Sequence, residues 1–356
     1  MPNSILKGHV PNWLSYALTF TGLTGLTGVI LIYIYQCKLI YPASYPEGSR
    51  QSVAVPSDYG MEYNEVDLKT KDGVNLKSYI IIRPNVEEAK RMPTILYFHA
   101  NAGNMGHRLP IAKILHDKFK CNVAMLSYRG YGKSEGSPNE KGLRIDAQTM
   151  LDYIREHTIL KNTPLIAYGQ SIGGAVAIDL VARNENSFSG LMIENTFLSL
   201  PKLIPTVIPF LKHFTFLCHQ QWPSEKNIQR IVKTPILFLA GAKDELVPPI
   251  HMVKLKDLSE TRAPKIWIPF PNGTHNNTCM QPGYFTAIHE FLERYILKQD
   301  VDDAKNGENT LDQTYIDGQP VNENNDTSST LMSGTTDVKG ITHNLQVEEI
   351  ELEEAK

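Results

Sequence analysis

Between residues 60 and 298 the chain alternates short, nearly unbroken apolar runs with helical patterns, and no other feature constrains its fold as much. The runs at 94–98, 123–127, 165–168, 191–193, 236–239 and 266–268 are too short for helices. They are also too uniformly apolar for a sheet with one wet face, so they read as strands buried on both sides. Helical patterns at 111–119, 140–156, 172–183 and 284–297 separate or follow them. Strands alternating with helices predict an α/β fold with a mostly parallel, doubly wound sheet. Residues 62–70 and 75–82 alternate apolar and polar instead, and Asp72-Gly73 joins them, so the sheet opens with an antiparallel hairpin.

Residues 14–35 carry no charge. A helix of about 20 residues spans the hydrocarbon core of a bilayer. Trp13, Tyr33 and Tyr35 stand near its ends, where amphipathic rings favour the interface. A cleaved signal peptide is the competing reading, but the stretch is long and runs on into Gln36-Cys37-Lys38 without a small-residue cleavage site. An uncleaved anchor is favoured. Lys7 on one side and Lys38 and Arg50 on the other leave its orientation open. The expected division is a flank at 1–13, a transmembrane helix at 14–36, a linker at 37–60, a folded domain at 61–298 and a tail at 299–356.

The net charge of -3 hides a split between domain and tail. The tail holds 14 Asp/Glu against 3 Lys, which leaves 24 acids and 32 bases elsewhere. A tail so polar cannot bury enough surface to offset its ordering entropy, and disorder is expected. The basic surplus of the rest is spread over a whole domain with no aromatic-interleaved stripe, which argues against nucleic acid as a partner. Four scattered cysteines make no disulfide scaffold, and no histidine or cysteine spacing fits a metal site. Residues 197–225 hold Pro201, Pro205 and Pro209 among Leu, Ile and Phe. Proline breaks long helices, so this segment reads either as a broken apolar lid over a substrate pocket or as packing at the sheet edge.

Chemistry concentrates at Gly169-Gln170-Ser171-Ile172-Gly173, where a short strand passes into a helix. A serine on such a turn is raised above the sheet as a nucleophile, and the glycines let strand and helix approach. A serine needs a base, and acid and histidine should follow it in the chain. His275, between the last strand and the last helix, is the candidate base. Asp244 is the favoured acid and Glu194 the alternative, since both end strands on the same edge; Glu245 reads as a solvated neighbour. The acid's role is to hold the histidine tautomer and stabilise its imidazolium. Oxyanion donors are expected from the backbone N–H of Ile172 and, in the small-residue loop after the 94–98 strand, that of Asn101. His99 reads as structural. Arg129-Gly130-Tyr131-Gly132-Lys133-Ser134 imitates the end of a phosphate-binding loop, but Ser127 stands where that motif needs glycine. This chemistry calls for no cofactor.

Assembled, these residues resemble the Bem46-like family of α/β-hydrolase-fold serine hydrolases. The resemblance runs from the N-terminal helix to about residue 298. It is carried by Tyr97-Phe98-His99-Ala100-Asn101-Ala102-Gly103-Asn104, by the stretch from Tyr128 to Gly136, by that from Gly169 to Ile178, by Glu194-Asn195-Thr196-Phe197-Leu198-Ser199, and by Gly273-Thr274-His275-Asn276. Ala100 stands where the family usually has glycine, and alanine is still small. The resemblance implies Ser171, Asp244 and His275 as nucleophile, acid and base. It also implies a type II single-pass protein with the hydrolase on the lumenal or extracellular side. Glycosylation sequons at Asn272 and Asn276 fit that topology, and a third lies at Asn325. The expected function is hydrolysis of an acyl ester or thioester of a small-molecule or lipid-like substrate. A non-catalytic membrane protein that reuses the fold for binding is the alternative.

Overall fold

The computed structural model describes residues 12–298. The flank at 1–11, the acidic tail and Asn325 lie outside the described residues. Helix α1 (Asn12–Ile40) comes first, followed by the hairpin β1 (Asn64–Lys69) and β2 (Asn75–Ile81). The order then runs α2 (Val86–Arg91), β3 (Thr94–Phe98), α3 (Leu109–Asp117), β4 (Asn122–Leu126), α4 (Glu140–Glu156), β5 (Leu165–Gln170), α5 (Ile172–Arg183) and β6 (Gly190–Glu194). After it come α6 (Leu200–Val207), α7 (Ser224–Asn227), β7 (Ile236–Gly241), α8 (Ile250–Leu258), β8 (Lys265–Phe270) and α9 (Tyr284–Leu292).

The eight strands form one sheet in the order β1-β2-β4-β3-β5-β6-β7-β8. β1 and β2 pair antiparallel, β2 joins β4 antiparallel, and every later pairing is parallel. This is the α/β-hydrolase fold, with the hairpin at one edge as expected. Side chains alternate across each strand and build two cores. Leu96, Phe98, Ala124, Leu126, Ala167 and Phe238 face one core; Ile95, Tyr97, Val123, Met125, Tyr168 and Leu239 face the other. That two-sided burial explains why the strands read as continuous apolar runs. α4 and α5 cover the first face with Leu143, Ala147 and Val176, while α3 and α9 cover the second with Leu115 and Ile288.

Local chemistry sets the boundaries. The Asn139 side chain accepts the Gly142 N–H at 2.9 Å and starts α4 where the sequence places it. β5 runs two residues past its apolar core, because Gly169 and Gln170 still pair with Ile193 and Glu194. The last helix keeps α-geometry only to Leu292 and closes as a π-turn over Glu293–Leu297. Helices α2, α7 and α8 escape the sequence patterns. α2 is short and is capped by Asn85, whose side chain accepts from Glu87 and Glu88. α8 follows Pro248-Pro249 and carries no clear apolar stripe.

The segment at 197–225 divides between the two expectations. Phe197, Leu198, Leu200 and Trp222 are buried in the core. Between them Val207, Phe210, Phe214 and Phe216 stand exposed on short helical pieces that the prolines interrupt. The phosphate-loop imitation is a structural turn. Arg129 is buried and bridges Asp72 and Asp146, each at 2.8 Å.

α1 is long and apolar enough to cross a membrane, with mean hydropathy 1.8 over its best window. Its Thr21, Thr24 and Thr27 hydroxyls each donate to the carbonyl four residues back at 2.9 Å, which satisfies them within the helix. Only its last turns touch the domain. Gln36 is buried there, donating to the Leu217 carbonyl at 3.2 Å and accepting the His219 N–H at 2.8 Å.

Candidate functional site

From β3 the chain builds outward to β4 and β2 on one side and to β5–β8 on the other. The crevice where strand order reverses, outside the carboxyl ends of the strands, is where such sheets bind ligands. The loops after β3, β5, β6, β7 and β8 all open on that edge, and they carry Asn101, Ser171, Asn195, Asp244 and His275.

Ser171 sits between β5 and α5 with φ 55° and ψ -121°, a conformation that side chains rarely adopt. Its backbone is held on both sides. The Ser171 N–H donates to the Glu194 carbonyl at 2.9 Å, and the Thr196 hydroxyl donates to the Ser171 carbonyl at 2.7 Å. The flanking glycines are required by close approach. A Cβ on Gly169 falls 2.1 Å from the Gly173 carbonyl oxygen, and one on Gly173 falls 2.1 Å from that of Phe98. One on Gly174 falls 2.6 Å from the Thr196 Cβ. The sharp turn is therefore wedged between β3, β5 and the β6 loop.

Asp244 and His275 meet because the loops after β7 and β8 touch through glycine. A Cβ on Gly241 falls 2.7 Å from the Gly273 carbonyl oxygen, and the Lys243 N–H donates to that oxygen at 2.8 Å. His275 Nδ1 then lies 2.8 Å from Asp244 Oδ2, and its Nε2 lies 3.1 Å from Ser171 Oγ. The second Asp244 oxygen accepts the Leu246 and Val247 N–H groups at 2.9 and 2.7 Å. A carboxylate accepts, so Nδ1 carries the proton and Nε2 is left to accept from the serine hydroxyl. Ser171 and His275 are only 8% and 6% exposed, so the hydrogen-bonded chain is shielded from bulk water.

Glu194 takes a different place. It is fully buried, accepts from the Tyr168 and Tyr284 hydroxyls at 3.0 and 2.6 Å and from Gln170 Nε2 at 3.3 Å, and burial pushes its carboxyl up. It makes no hydrogen bond to the His275 ring. Glu245 is exposed, as expected of a solvated neighbour, and it also accepts the His275 N–H at 3.3 Å. His99 is buried, with Nδ1 2.7 Å from the Ala100 carbonyl, and burial pushes its pKa down to about 3. It is a neutral packing group against Tyr128 and Tyr131.

Asn195 is the residue the sequence patterns pass over. With φ 44°, its amide accepts the Gly241 N–H at 2.8 Å and donates to Thr278 Oγ1 at 2.9 Å and to the Thr274 and His275 carbonyls at 3.2 and 3.4 Å. One side chain thus ties the ends of β6 and β7 to the histidine loop. Its signal in sequence was a polar pair directly after an apolar strand, and its partners lie about 50 and 80 residues away.

The Asn101 side chain accepts from the Tyr131 hydroxyl at 2.7 Å and donates to the Ile40 carbonyl at the end of α1. Among the described residues, neither the Asn101 nor the Ile172 backbone N–H has an acceptor. Asn272 and Asn276 are exposed beside His275, and Asn272 Oδ1 accepts from Lys243 Nζ at 2.7 Å. Two surface clefts of about 480 and 410 Å³ lie elsewhere, at 154–165 with 186–189 and between β1 and α4.

Known proteins agree with this architecture. A family model described as serine aminopeptidase, S33, matches residues 93–229. Protein bem46 of Schizosaccharomyces pombe is 46% identical over 295 residues, covering 81% of this chain and 97% of its own. A Saccharomyces cerevisiae membrane protein is 39% identical, covering 79% of this chain and 97% of its own. Among solved structures, a Pyrococcus furiosus esterase superposes with a TM-score of 0.56 at 19% identity, covering 69% of this chain and 95% of its own. The extent of the match to bem46, over a fold shared with esterases, places this chain in the Bem46-like family of α/β hydrolases.

Proposed function

We propose that the protein is a membrane-anchored serine hydrolase that cleaves an acyl ester or thioester through a Ser171 acyl-enzyme. The observation that carries this reading is the chain of hydrogen bonds from Ser171 Oγ through His275 to Asp244, at 3.1 and 2.8 Å, on a strained strand-to-helix turn. His275 Nε2 takes the hydroxyl proton as Oγ attacks the acyl carbon, and Asp244 stabilises the imidazolium. The negative charge that develops on the acyl oxygen is met by the N–H groups of Ile172 and Asn101, the first of which opens α5. The imidazolium then protonates the departing alkoxide or thiolate, leaving the acyl group on Ser171. Water, deprotonated by the same imidazole, releases the acid. The residues of 197–225 serve as the lid beside this site.

A fluorophosphonate probe is expected to label the full chain and to leave Ser171→Ala unlabelled. Equal labelling of both removes the serine from the mechanism.

α1 is the anchor in this reading, as a type II signal-anchor with the hydrolase domain on the lumenal or extracellular side. Both Asn272 and Asn276 are exposed there. The chain expressed in the endoplasmic reticulum is expected to shift on endoglycosidase treatment, and the shift should shrink in Asn272→Gln and in Asn276→Gln. A domain digested by protease added to intact microsomes would reverse the topology.

A further inference from the structure

The lid segment carries an exposed apolar patch. Phe210 and Phe216 are 72% and 78% exposed, with Val207 and Phe214 beside them in the chain. Large aromatic side chains grouped on a surface mark a contact with something apolar. Residues 197–222 contain Lys202, Lys212, His213 and His219 and no Asp or Glu; Lys202 pairs with Glu225 and Glu140 accepts the Gln221 N–H, which leaves Lys212 as the lysine nearest the aromatics without an acidic partner among the described residues. Aromatics flanking a lysine, with no acid between them in the chain, suit an interface between acyl chains and anionic headgroups.

The position of the patch selects its occupant. The lid is fastened to the last turns of α1. Gln36 bonds to Leu217 and His219, and the Tyr33 ring meets the His219 ring at a centroid distance of 5.2 Å. Just beyond α1, Tyr41 accepts from Trp222 Nε1 at 2.8 Å. The uncharged stretch of α1 ends at residue 37, and Lys38 is the first charge after it. The turn that grips the lid is thus the turn that leaves the apolar span, where the surface of a bilayer must lie. Phe216 is the chain neighbour of Leu217, so its Cα lies only about 4 Å from a residue bonded to that turn. The same end of α1 accepts from the Asn101 side chain, on the loop that borders Ser171.

We propose that Val207, Phe210, Phe214 and Phe216 form a second membrane contact, seated in the leaflet that α1 leaves. The inference rests on α1 crossing the bilayer. It adds that the domain does not swing freely on its anchor but lies with the mouth of the site against acyl chains.

The test uses the full chain in vesicles of phosphatidylcholine and phosphatidylglycerol, with Phe210→Trp, Phe216→Trp and, as a control, Val86→Trp. Val86 is exposed and precedes β3, at the amino ends of the parallel strands and away from the ends that carry Ser171. Emission of the wild type, with its own tryptophans, is subtracted. Phe210→Trp and Phe216→Trp are expected to shift to the blue and to be quenched by brominated lipid about twofold more than Val86→Trp, as fits a face sunk about 5–10 Å into the interface. Fluorophosphonate labelling of each variant reports that it is folded. Quenching equal to the Val86→Trp control, in a chain that resists carbonate extraction, overturns the lid contact and leaves the anchor standing. A blue shift without quenching assigns the patch to protein contact instead and also overturns it. A chain that carbonate extracts overturns the anchor, and the inference with it.

Discussion

Ser171→Ala, His275→Ala and the double variant are expected to lose nearly the same factor in kcat, about 10⁴–10⁶ against any ester or thioester that the wild type cleaves. Ser171 and His275 act with Asp244 as one unit in the proposed mechanism, so removing a second member after the first costs little more. The hydrogen-bonded chain at 3.1 and 2.8 Å is the reason. Asp244→Asn should lose about 10⁴-fold, because an amide in place of Oδ2 favours the wrong imidazole tautomer. Glu194→Gln discriminates between the two carboxylates. Glu194 bonds to Tyr168, Tyr284 and Gln170 rather than to the His275 ring, so its loss should act on stability before turnover. Steady-state kinetics with initial-rate controls for folded fraction measure all five variants. A double variant whose loss is the product of the two single losses refutes the coupled unit. A Glu194→Gln defect as deep as that of Asp244→Asn refutes the choice of acid.

Gly173→Ala carries the largest expected effect on stability. Helix propensity alone argues that replacing a helical glycine with alanine stabilises by about 1 kcal/mol. The packing argues the opposite. The added Cβ would sit 2.1 Å from the Phe98 carbonyl oxygen and 2.8 Å from that of His99. Both are backbone atoms at the end of a central strand and have no side-chain freedom with which to yield. Overpacking of this kind costs about 3 kcal/mol, which in a domain of this size lowers Tm by roughly 6–12 °C. Because α5 must back away from β3, Ser171 and the Ile172 N–H should move with it, and fluorophosphonate labelling should slow in the fraction still folded. A thermal melt that rises on substitution shows that the strand and helix are not in contact at this point.

The long apolar helix, the sheet and the serine turn were legible in the chain because each leaves a local signature. Charge-free length, the run of buried strands and a serine flanked by glycines can all be read within windows of a few residues to a few tens. The limits of α4 and α5 come out where the pattern puts them because the Asn139 cap and the Ser171 turn are short-range devices. α8 was hidden for the converse reason: it lacks a stripe and is held by packing of Met252 and Leu255 into the core.

The site divides along the same line. Position along the chain already nominated Ser171 and His275, and it placed Asp244 and Glu194 on the same edge of the sheet. The sequence favoured Asp244 over Glu194, and the tertiary structure supplied the physical reason, in the touching glycines of the β7 and β8 loops and the tyrosines that surround Glu194. It alone showed what Asn195 does, with bonds that reach the β7 end and the histidine loop, and it alone laid the 197–225 segment against the last turns of α1. The sequence by itself determined the alternation of strand and helix, the long apolar N-terminal helix and the strained serine turn, since these rest on periodicity, length and local backbone sterics. The tertiary structure decided which carboxylate meets the histidine and where the 197–225 segment lies, since contacts between residues 30 to 180 positions apart have no imprint on the spacing of neighbours.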